Sequence, residues 1–147
     1  MTDFILDASI VAKWLVDEPG SSEARKLISP DIYSRAPDLL VPELINIFWK
    51  KQVRGDMTGE TAAGHLNAFL EDYLEVAVHL LPARILSKRA LQIAQSTGKS
   101  AYDSLYLAAA VQAGCRLVTA DERFARSIKH HALRAHIVAL SDESLLI

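Results

Sequence analysis

Four acidic residues stand in short hydrophobic settings spread along the chain: Asp7 in FILD, Glu43 in VPEL, Asp103 in SAYD and Asp121 in VTAD. Taken singly, each has a structural explanation, because acids serve as helix caps, as turn residues and in the first turn of a helix. If folding brings them together, their like charges raise one another's pKa and destabilise the fold. A divalent cation would remove that penalty. Carboxylate ligands suit Mg²⁺ or Mn²⁺, and such a site suits phosphodiester hydrolysis by a metal-activated water.

A metal site in this chain would have to be built from oxygen ligands. Cys115 is the only cysteine among 147 residues, which excludes an internal disulfide and a zinc site of several thiolates. The longest apolar run, 105–111, has seven residues, too few to span a membrane. No basic region precedes the apolar N-terminal stretch, so we expect no signal peptide and a cytoplasmic protein.

Strand and helix signals alternate along the chain and determine where the four acids fall. The predicted strands cover 4–6, a very short 35–36, 76–80, 116–119 and 137–140. The predicted helices start after a cap at Ser9, near Ser21, at Pro42, after Thr58, at Ala83, after a capping box at Ser100–Asp103 and at Glu122. They end before Pro19, Pro30 and Gly55, near Tyr73 and Gln95, before Gly114 and near His130.

This alternation predicts an α/β fold in a single domain, residues 1–147, with a short, mainly parallel sheet between helices on both faces. Such sheets bind ligands at the carboxyl ends of their strands, where helix N-termini also lie. Asp7 directly follows the first strand and Asp121 nearly follows the strand at 116–119, while Glu43 and Asp103 lie in first turns of helices. We therefore expect four carboxylates from distant segments to converge at one edge of the sheet.

Charge is divided unevenly along the chain. The formal net charge of −2, taken alone, disfavours a protein that coats nucleic acid. Residues 84–134 nevertheless hold nine Lys and Arg against three acids, a local charge of +6, whereas residues 1–38 hold four against seven. A solvated surface explains this asymmetry as well as an anionic substrate does.

Four segments resemble the motif regions of PIN domains, specifically the VapC-type toxins of bacterial and archaeal toxin–antitoxin pairs. They are FILDASIVAKWLVDEPGSSEA, LLVPELINIFWK, KSAYDSLYLAAA and RLVTADERF, and the similarity extends over essentially the whole chain. The order and spacing of the four acids carry the resemblance. Position by position, the family's acidic quartet corresponds to Asp7, Glu43, Asp103 and Asp121.

The resemblance implies a PIN-like three-layer α/β/α fold and a Mg²⁺- or Mn²⁺-dependent endoribonuclease. It also implies a homodimer that is silenced by a small antitoxin. This chain would then contact DNA only indirectly, through the antitoxin. Asp7 and Asp103 are the expected metal ligands. Glu43 and Asp121 are expected to bind metal directly, to bind it through water, or to position the attacking water.

Other side chains are given supporting roles. The hydroxyls of Ser9 and Thr119 fit positions around the metal ligands, with helix capping and strand packing as the alternatives. His79, His130 and His131 are interpreted as surface or packing residues. Basic residues in segments flanking Asp103 and Asp121 are expected to meet RNA phosphates. They are Lys88, Arg89, Lys99, Arg116, Arg123, Arg126 and Lys129.

Aromatic residues on the early helices have two interpretations. Trp14, Leu15, Phe48 and Trp49 are expected mostly in the core. Two Trp and a Phe exceed what a small core needs, so one or two of them are candidates for lining a partner groove.

Three other functions remain open at this point. A receiver-type phosphoacceptor domain also builds a Mg²⁺ pocket from acids, but it has paired acids after its first strand, where Asp7 stands alone. A haloacid-dehalogenase-like phosphatase has an acid two residues past its nucleophile, where this chain has Ser9. The third alternative is a PIN fold kept only as a non-catalytic binding module.

Overall fold

The computed structural model describes residues 1–146, which form five strands and seven α-helices. The strands are β1 (Thr2–Leu6), β2 (Ile32–Pro37), β3 (His79–Leu81), β4 (Arg116–Thr119) and β5 (Ile137–Ala139). The α-helices are α1 (Ala8–Leu15), α2 (Ser21–Arg25), α3 (Leu40–Val53), α4 (Gly59–Ala68), α5 (Ala83–Thr97), α6 (Ala101–Ala113) and α7 (Glu122–Ser127). A π-helical turn (Phe69–Tyr73) follows α4, and a 3-10 helix (Ala132–His136) precedes β5. None of these helices is long and apolar enough to cross a bilayer.

The five strands form one parallel sheet in the order β3-β2-β1-β4-β5. The chain moves outward from β1 to β3 on one side, then crosses back to place β4 and β5 on the other side of β1. The strand order therefore reverses between β1 and β4, and the carboxyl ends of these two strands are where sheets of this kind bind their ligands. Leu6 of β1 pairs with Val118 of β4, so Asp7 and the β4–α7 turn share this edge.

Helices cover the sheet as the three-layer α/β/α prediction requires. α6 packs across β1, β2 and β4, with α5 packed on it, while α1 contacts β4 and packs against α2 and α3. The strands between the layers are apolar on both faces: Ile5, Leu6, Leu117 and Val118 are all fully buried. Ala108–Ala110 of α6 are also fully buried, and their small side chains allow close packing on the sheet.

The helix ends follow the predicted capping chemistry with one correction. Ser100 caps α6 by accepting a hydrogen bond from the Asp103 amide, and Gly98 and Gly114 end α5 and α6 with φ values of 72° and 66°. The prediction that Ser9 caps α1 is wrong. Asp7 is the N-cap and accepts a hydrogen bond from the Ser9 amide, because it is the single residue between the end of β1 and the start of α1.

Two predicted strands differ from those observed. Of the strand predicted at 76–80, only His79 and Leu80 are in β3, because the amides of Val76, Ala77 and Val78 all donate to the Tyr73 carbonyl in a tight turn. In contrast, the two residues predicted at 35–36 belong to a full six-residue strand, β2, paired on both sides.

Several helices also have bounds other than those predicted: α2 ends at Arg25, well before Pro30, and α4 ends at Ala68, where the π-helical turn takes over. α3 begins at Leu40, so Pro42 lies in its first turn rather than at its first position, where a missing N–H is still tolerated. α7 ends at Ser127, short of the predicted His130, and the chain turns there into the 3-10 helix.

Candidate active site

Two of the predicted acids lie at the sheet edge where the strand order reverses. Asp7 follows β1, and its Oδ1 accepts hydrogen bonds from the amide of Ser9 at 3.0 Å and from the Ser9 hydroxyl. Asp121 lies two residues after β4, and its Oδ1 accepts from the Phe124 amide at 3.1 Å. Both acids are thus helix caps, as their simple explanation requires, and both are also placed on neighbouring strands at the ligand-binding edge.

The other two acids come from α3 and α6 and are linked by a tyrosine. Glu43 lies in the first turn of α3 and accepts a hydrogen bond of 2.6 Å from the hydroxyl of Tyr106. Tyr106 is buried on α6, one turn after Asp103. Positions i and i+3 of a helix lie on one face, so the face of α6 that carries Asp103 also holds Glu43 in place.

The four carboxylates act on one another electrostatically in a continuous series. Burial raises the pKa of Asp7 to about 6, and the charge of Glu43 adds to this rise. Burial and the charge of Asp103 also raise the pKa of Glu43, although the hydrogen bond from Tyr106 opposes them. The pKa of Asp103 is raised by burial and by Asp121, and Lys99 opposes this. Each acid of the series is thus close enough to the next to affect its pKa, whereas the convergence of all four on one site stays a prediction.

Two hydroxyls, those of the half-buried Ser9 and the buried Thr119, connect this edge internally. Ser9 donates to Asp7 and accepts a hydrogen bond of 3.0 Å from the Ala120 amide, which joins α1 to the β4–α7 turn. Thr119 is fully buried and accepts from the Asp121 amide at 3.0 Å, and its hydroxyl lowers the pKa of Asp7. Both therefore hold a predicted metal-binding acid in place, and Thr119 contacts two of them.

The donor set fits a hard cation that keeps part of its water shell. In residues 1–146 no three His, Cys, Asp or Glu side chains are close enough together to hold one ion jointly. The acids instead approach in pairs, all with oxygen ligands; burial is the main cause of the raised pKa values of Asp7, Glu43 and Asp103, and a neighbouring carboxylate adds to it in each case. Mg²⁺ is commonly held by one or two carboxylates, with water and substrate phosphate completing its octahedron.

Tyr106 is the site residue that the sequence analysis missed. Its hydroxyl fixes Glu43, and burial together with the Glu43 charge raises its own pKa, so it stays a neutral donor. The signal was its position three residues after Asp103, on the same face of the predicted Ala-rich helix.

The histidines take structural positions away from the acids. His79 pairs with Glu75 at 3.2 Å, and His131 caps the 3-10 helix by accepting from the Leu133 amide. His130 is exposed.

The basic residues are divided between the two ends of the sheet. Arg123 and Arg126 are exposed on α7, which begins at the acidic edge. Lys99 lies near enough to Asp103 to lower its pKa. Arg116 begins β4 at the opposite edge, where it lies 5.7 Å from the Phe4 ring centroid, so it does not belong with the acids.

Of the aromatic residues on the early helices, two are in the core and one is not. Trp14 and Phe48 are buried, and the Trp14 indole donates to the Ala24 carbonyl at 2.8 Å. Leu15 is half-buried. Trp49 is 57% exposed, which leaves it as the candidate for a partner surface.

A groove of about 570 Å³ lies beside the acids. Its walls include Lys13, Lys26 and Leu140, and it reaches Ala120, next to Asp121 in the chain. None of the four acids lines it, so it adjoins the acidic edge without being part of it.

Fold and site together define an α/β protein with a carboxylate site at the switch point of a parallel sheet. The chain belongs to the PIN-domain family, whose model matches residues 4–128. It is 31% identical over 121 residues to Ribonuclease VapC3 of Pyrobaculum aerophilum, which covers 82% of this chain and 91% of that protein.

Solved structures share the fold at lower identity. The crystal structure of PAE2754 from Pyrobaculum aerophilum superposes with a TM-score of 0.64 at 20% identity, covering 95% of this chain and 91% of that one. The structure of VapBC2 from Rickettsia felis, bound to a DNA fragment from its promoter, gives 0.62 at 14% identity, covering 94% and 98%. That of FitAcB from Neisseria gonorrhoeae gives 0.61 at 17% identity, covering 93% and 97%.

Proposed function

We propose that this protein is a divalent-metal-dependent endoribonuclease and the toxin of a toxin–antitoxin pair. The observation that carries the proposal is the series of four interacting carboxylates, drawn from four separate segments, at the reversal of strand order. The similarity to a protein named as a ribonuclease supports RNA as the substrate. Membership of the PIN family removes the receiver-type and dehalogenase-like alternatives.

The side chains of the acidic edge have distinct tasks in this proposal. Asp7 and Asp103 would hold Mg²⁺ or Mn²⁺, and Glu43 and Asp121 would complete the site directly or through water. When bound, the ion supplies an acidified water and neutralises charge on the phosphate. Tyr106 orients Glu43, and Ser9 and Thr119 orient Asp7. Arg123 and Lys99 place positive charge where the RNA backbone would approach.

Cleavage of single-stranded RNA with and without metal tests the proposal. Purified protein should cleave in Mg²⁺ or Mn²⁺ and stop on chelation. Asp7→Asn and Asp103→Asn should each lower the rate by at least about 100-fold with the fold intact, as judged by circular dichroism. Asp31→Asn is the matched control, because Asp31 is an exposed acid at the opposite end of the sheet. Cleavage that survives chelation or both site variants would contradict the metal assignment, and RNA binding without cleavage would favour the non-catalytic module.

An exposed apolar stripe on α3 is the surface we propose for the antitoxin. Ile45, Trp49 and Val53 recur every four residues, and the side chains are 48%, 57% and 64% exposed. An isolated stripe of this kind on a surface helix marks a contact with another chain. Lys50 and Arg54 flank it, so the partner segment should be apolar with an acidic margin.

Co-expression with the product of a neighbouring short reading frame tests this surface. The double variant Ile45→Glu, Trp49→Glu should lose the partner by co-purification, whereas Leu91→Glu, an equally exposed site on α5, should keep it. If the α3 variant still co-purifies with the partner, the stripe is not the antitoxin site.

The remaining partner proposals are a homodimer and contact with DNA only through the antitoxin. The mass of the protein in solution by light scattering decides the first: a single-chain mass would contradict it. If the α3 variant loses dimer mass but keeps the partner, the stripe is instead the contact between copies. Promoter DNA should bind the two-protein complex and not this chain alone, in keeping with its net charge of −2.

A further inference from the structure

Tyr102 is a large aromatic side chain left in solvent next to the acidic edge. It is 61% exposed, the most exposed of the four tyrosines. Tyr73 stacks on Trp14, Tyr106 is buried on Glu43, and Tyr33 packs between Arg35 and His79. Within residues 1–146, the Tyr102 side chain stacks on no other aromatic ring, lies under no cation and makes no side-chain hydrogen bond. Packing therefore does not explain it.

Helix geometry places Tyr102 on the side of the acids. Tyr102 and Tyr106 are four residues apart and so lie one above the other on the same face of α6. Tyr106 reaches Glu43 from this face, and Asp103 follows Tyr102 directly. Side chains on a helix slope toward its N-terminus, and α6 begins at the carboxyl edge of the sheet. The ring is thus set outward of Glu43 and Asp103, at the entrance to the site.

A cation lies beside the same turn. Lys99 comes one residue before the cap of α6, and its charge lowers the pKa of Asp103 against the effect of burial. An RNA phosphate close to Asp103 would therefore meet a lysine, and the base attached to that nucleotide would lie within reach of an exposed ring. Single strands are commonly bound in this way, by positive charge on the backbone and by stacking of bases on aromatic faces.

We propose that Tyr102 stacks on a nucleobase of the RNA strand next to the phosphodiester held at the acidic edge. This rests on the proposed ribonuclease function and adds a substrate contact to it. Because every base has a π-face, the contact adds affinity and fixes the register of the strand while demanding little of its sequence.

Binding and cleavage of a short RNA test the stacking. Binding is measured in an Asp7→Asn background, so that no turnover is needed. Tyr102→Ala should raise Kd about 5- to 100-fold, and Tyr102→Phe should restore most of the affinity, because stacking requires the ring and not the hydroxyl. Tyr33→Ala is the matched control, since Tyr33 is an exposed tyrosine near the amino end of β2, at the opposite edge. It should leave Kd unchanged.

A scan of single abasic positions through the RNA separates stacking from a structural effect. Removing the stacked base should weaken binding to the protein with Tyr102 by the same factor as Tyr102→Ala, and should not weaken binding to the Ala variant further. Equal Kd for the Tyr and Ala proteins, or an Ala loss that is the same on every abasic RNA, would overturn the proposal. If the wild type binds but does not cleave, the ribonuclease proposal fails, while the binding scan still decides the stacking.

Discussion

At the scale of single residues, the buried Asp7 carboxylate destabilises the folded chain when it is ionised. Its pKa is about 6 in the folded chain against 3.8 for a free aspartate, so the ionised form is disfavoured by folding. Stability from this group is therefore present below pH 3.8 and is lost as the pH rises through about 6. Asp7→Asn should raise the free energy of unfolding of chelator-treated protein at pH 7.5 by about 1 to 3 kcal/mol. Urea denaturation from pH 4 to 8 measures this, with Asp31→Asn as the exposed control. A variant less stable than wild type at pH 7.5 would contradict the assignment of charge.

Tyr106 acts on the reaction through Glu43. Tyr106→Phe removes the donor at 2.6 Å while keeping the buried ring. Loss of an oriented partner of a metal-binding carboxylate typically lowers metal affinity 10- to 100-fold, and we expect the Mn²⁺ concentration for half-maximal cleavage to rise by about that factor. Because the hydrogen bond lowers the pKa of Glu43, its loss should also move the acid limb of the pH–rate profile to higher pH. Tyr33→Phe should change neither quantity. An unmoved acid limb would show that Tyr106 only packs.

At the scale of elements, a pair of ion contacts ties α1 to α3. Glu18 accepts from Lys13 of α1 at 3.2 Å and from Lys51 of α3 at 2.9 Å, and all three side chains are mostly buried. Burial alone would raise the pKa of Glu18, but the two lysines lower it below its usual 4.5. The contribution to stability is thus present above pH 4.5 and is lost as the pH falls through the lower folded value.

Glu18→Gln should therefore destabilise the protein in a pH-dependent way. We expect a loss of about 0.5 to 1 kcal/mol at pH 7 that shrinks as the pH falls below 4.5. The free energies of unfolding of the wild type and the variant are measured by urea denaturation in buffers that contain a chelator. Asp17→Asn is the neighbouring control, because its pair with Arg25 is highly exposed and should contribute little. A difference of the same size at every pH between 7 and 3 would indicate packing in place of charge.

Local signals predicted some elements closely and failed where the chain is held by distant or unusual contacts. Ser100, Gly98 and Gly114 predicted the ends of α5 and α6, because caps and left-handed glycines act within a few residues. β2 looked minimal in sequence and became a full strand only because β1 and β3 pair with both of its sides. The prediction of a strand over 76–80 was wrong because Glu75 adopts a φ of 60°, and local propensity does not predict that conformation.

The site divides in the same way. Acids following strands could be placed at one edge from topology alone, since the carboxyl ends of parallel strands meet there. The position of Tyr106 on the Asp103 face of α6 could be read from the sequence spacing, but its hydrogen bond to Glu43 could not, because that contact depends on how α3 and α6 are spaced. Trp49 and Phe48 are adjacent in sequence, yet only the packed structure shows that one is buried and the other exposed.

At the scale of the whole molecule, net charge and charge placement give opposite expectations for RNA. The chain carries −2 overall, but Arg123 and Arg126 are exposed on the helix that begins at the acidic edge. The contact of Arg126 with Glu122 is 3.8 Å and exposed, so it is too weak to keep Arg126 from binding a phosphate.

If both arginines meet the RNA backbone, Arg123→Glu with Arg126→Glu should weaken binding and flatten the slope of log K against log salt by about 1.4, at about 0.7 for each single-strand phosphate contact. Lys50→Glu with Arg54→Glu is the matched control: both residues are exposed, and the pair makes the same change in net charge at the carboxyl end of α3, away from the acidic edge where that helix begins. Fluorescence anisotropy of a labelled RNA between 50 and 200 mM salt, on the order of physiological ionic strength, measures both slopes. The same slope in both double variants would mean that RNA responds to net charge alone, whereas a lower slope only in the α7 variant would show that the backbone crosses the acidic edge beside this helix.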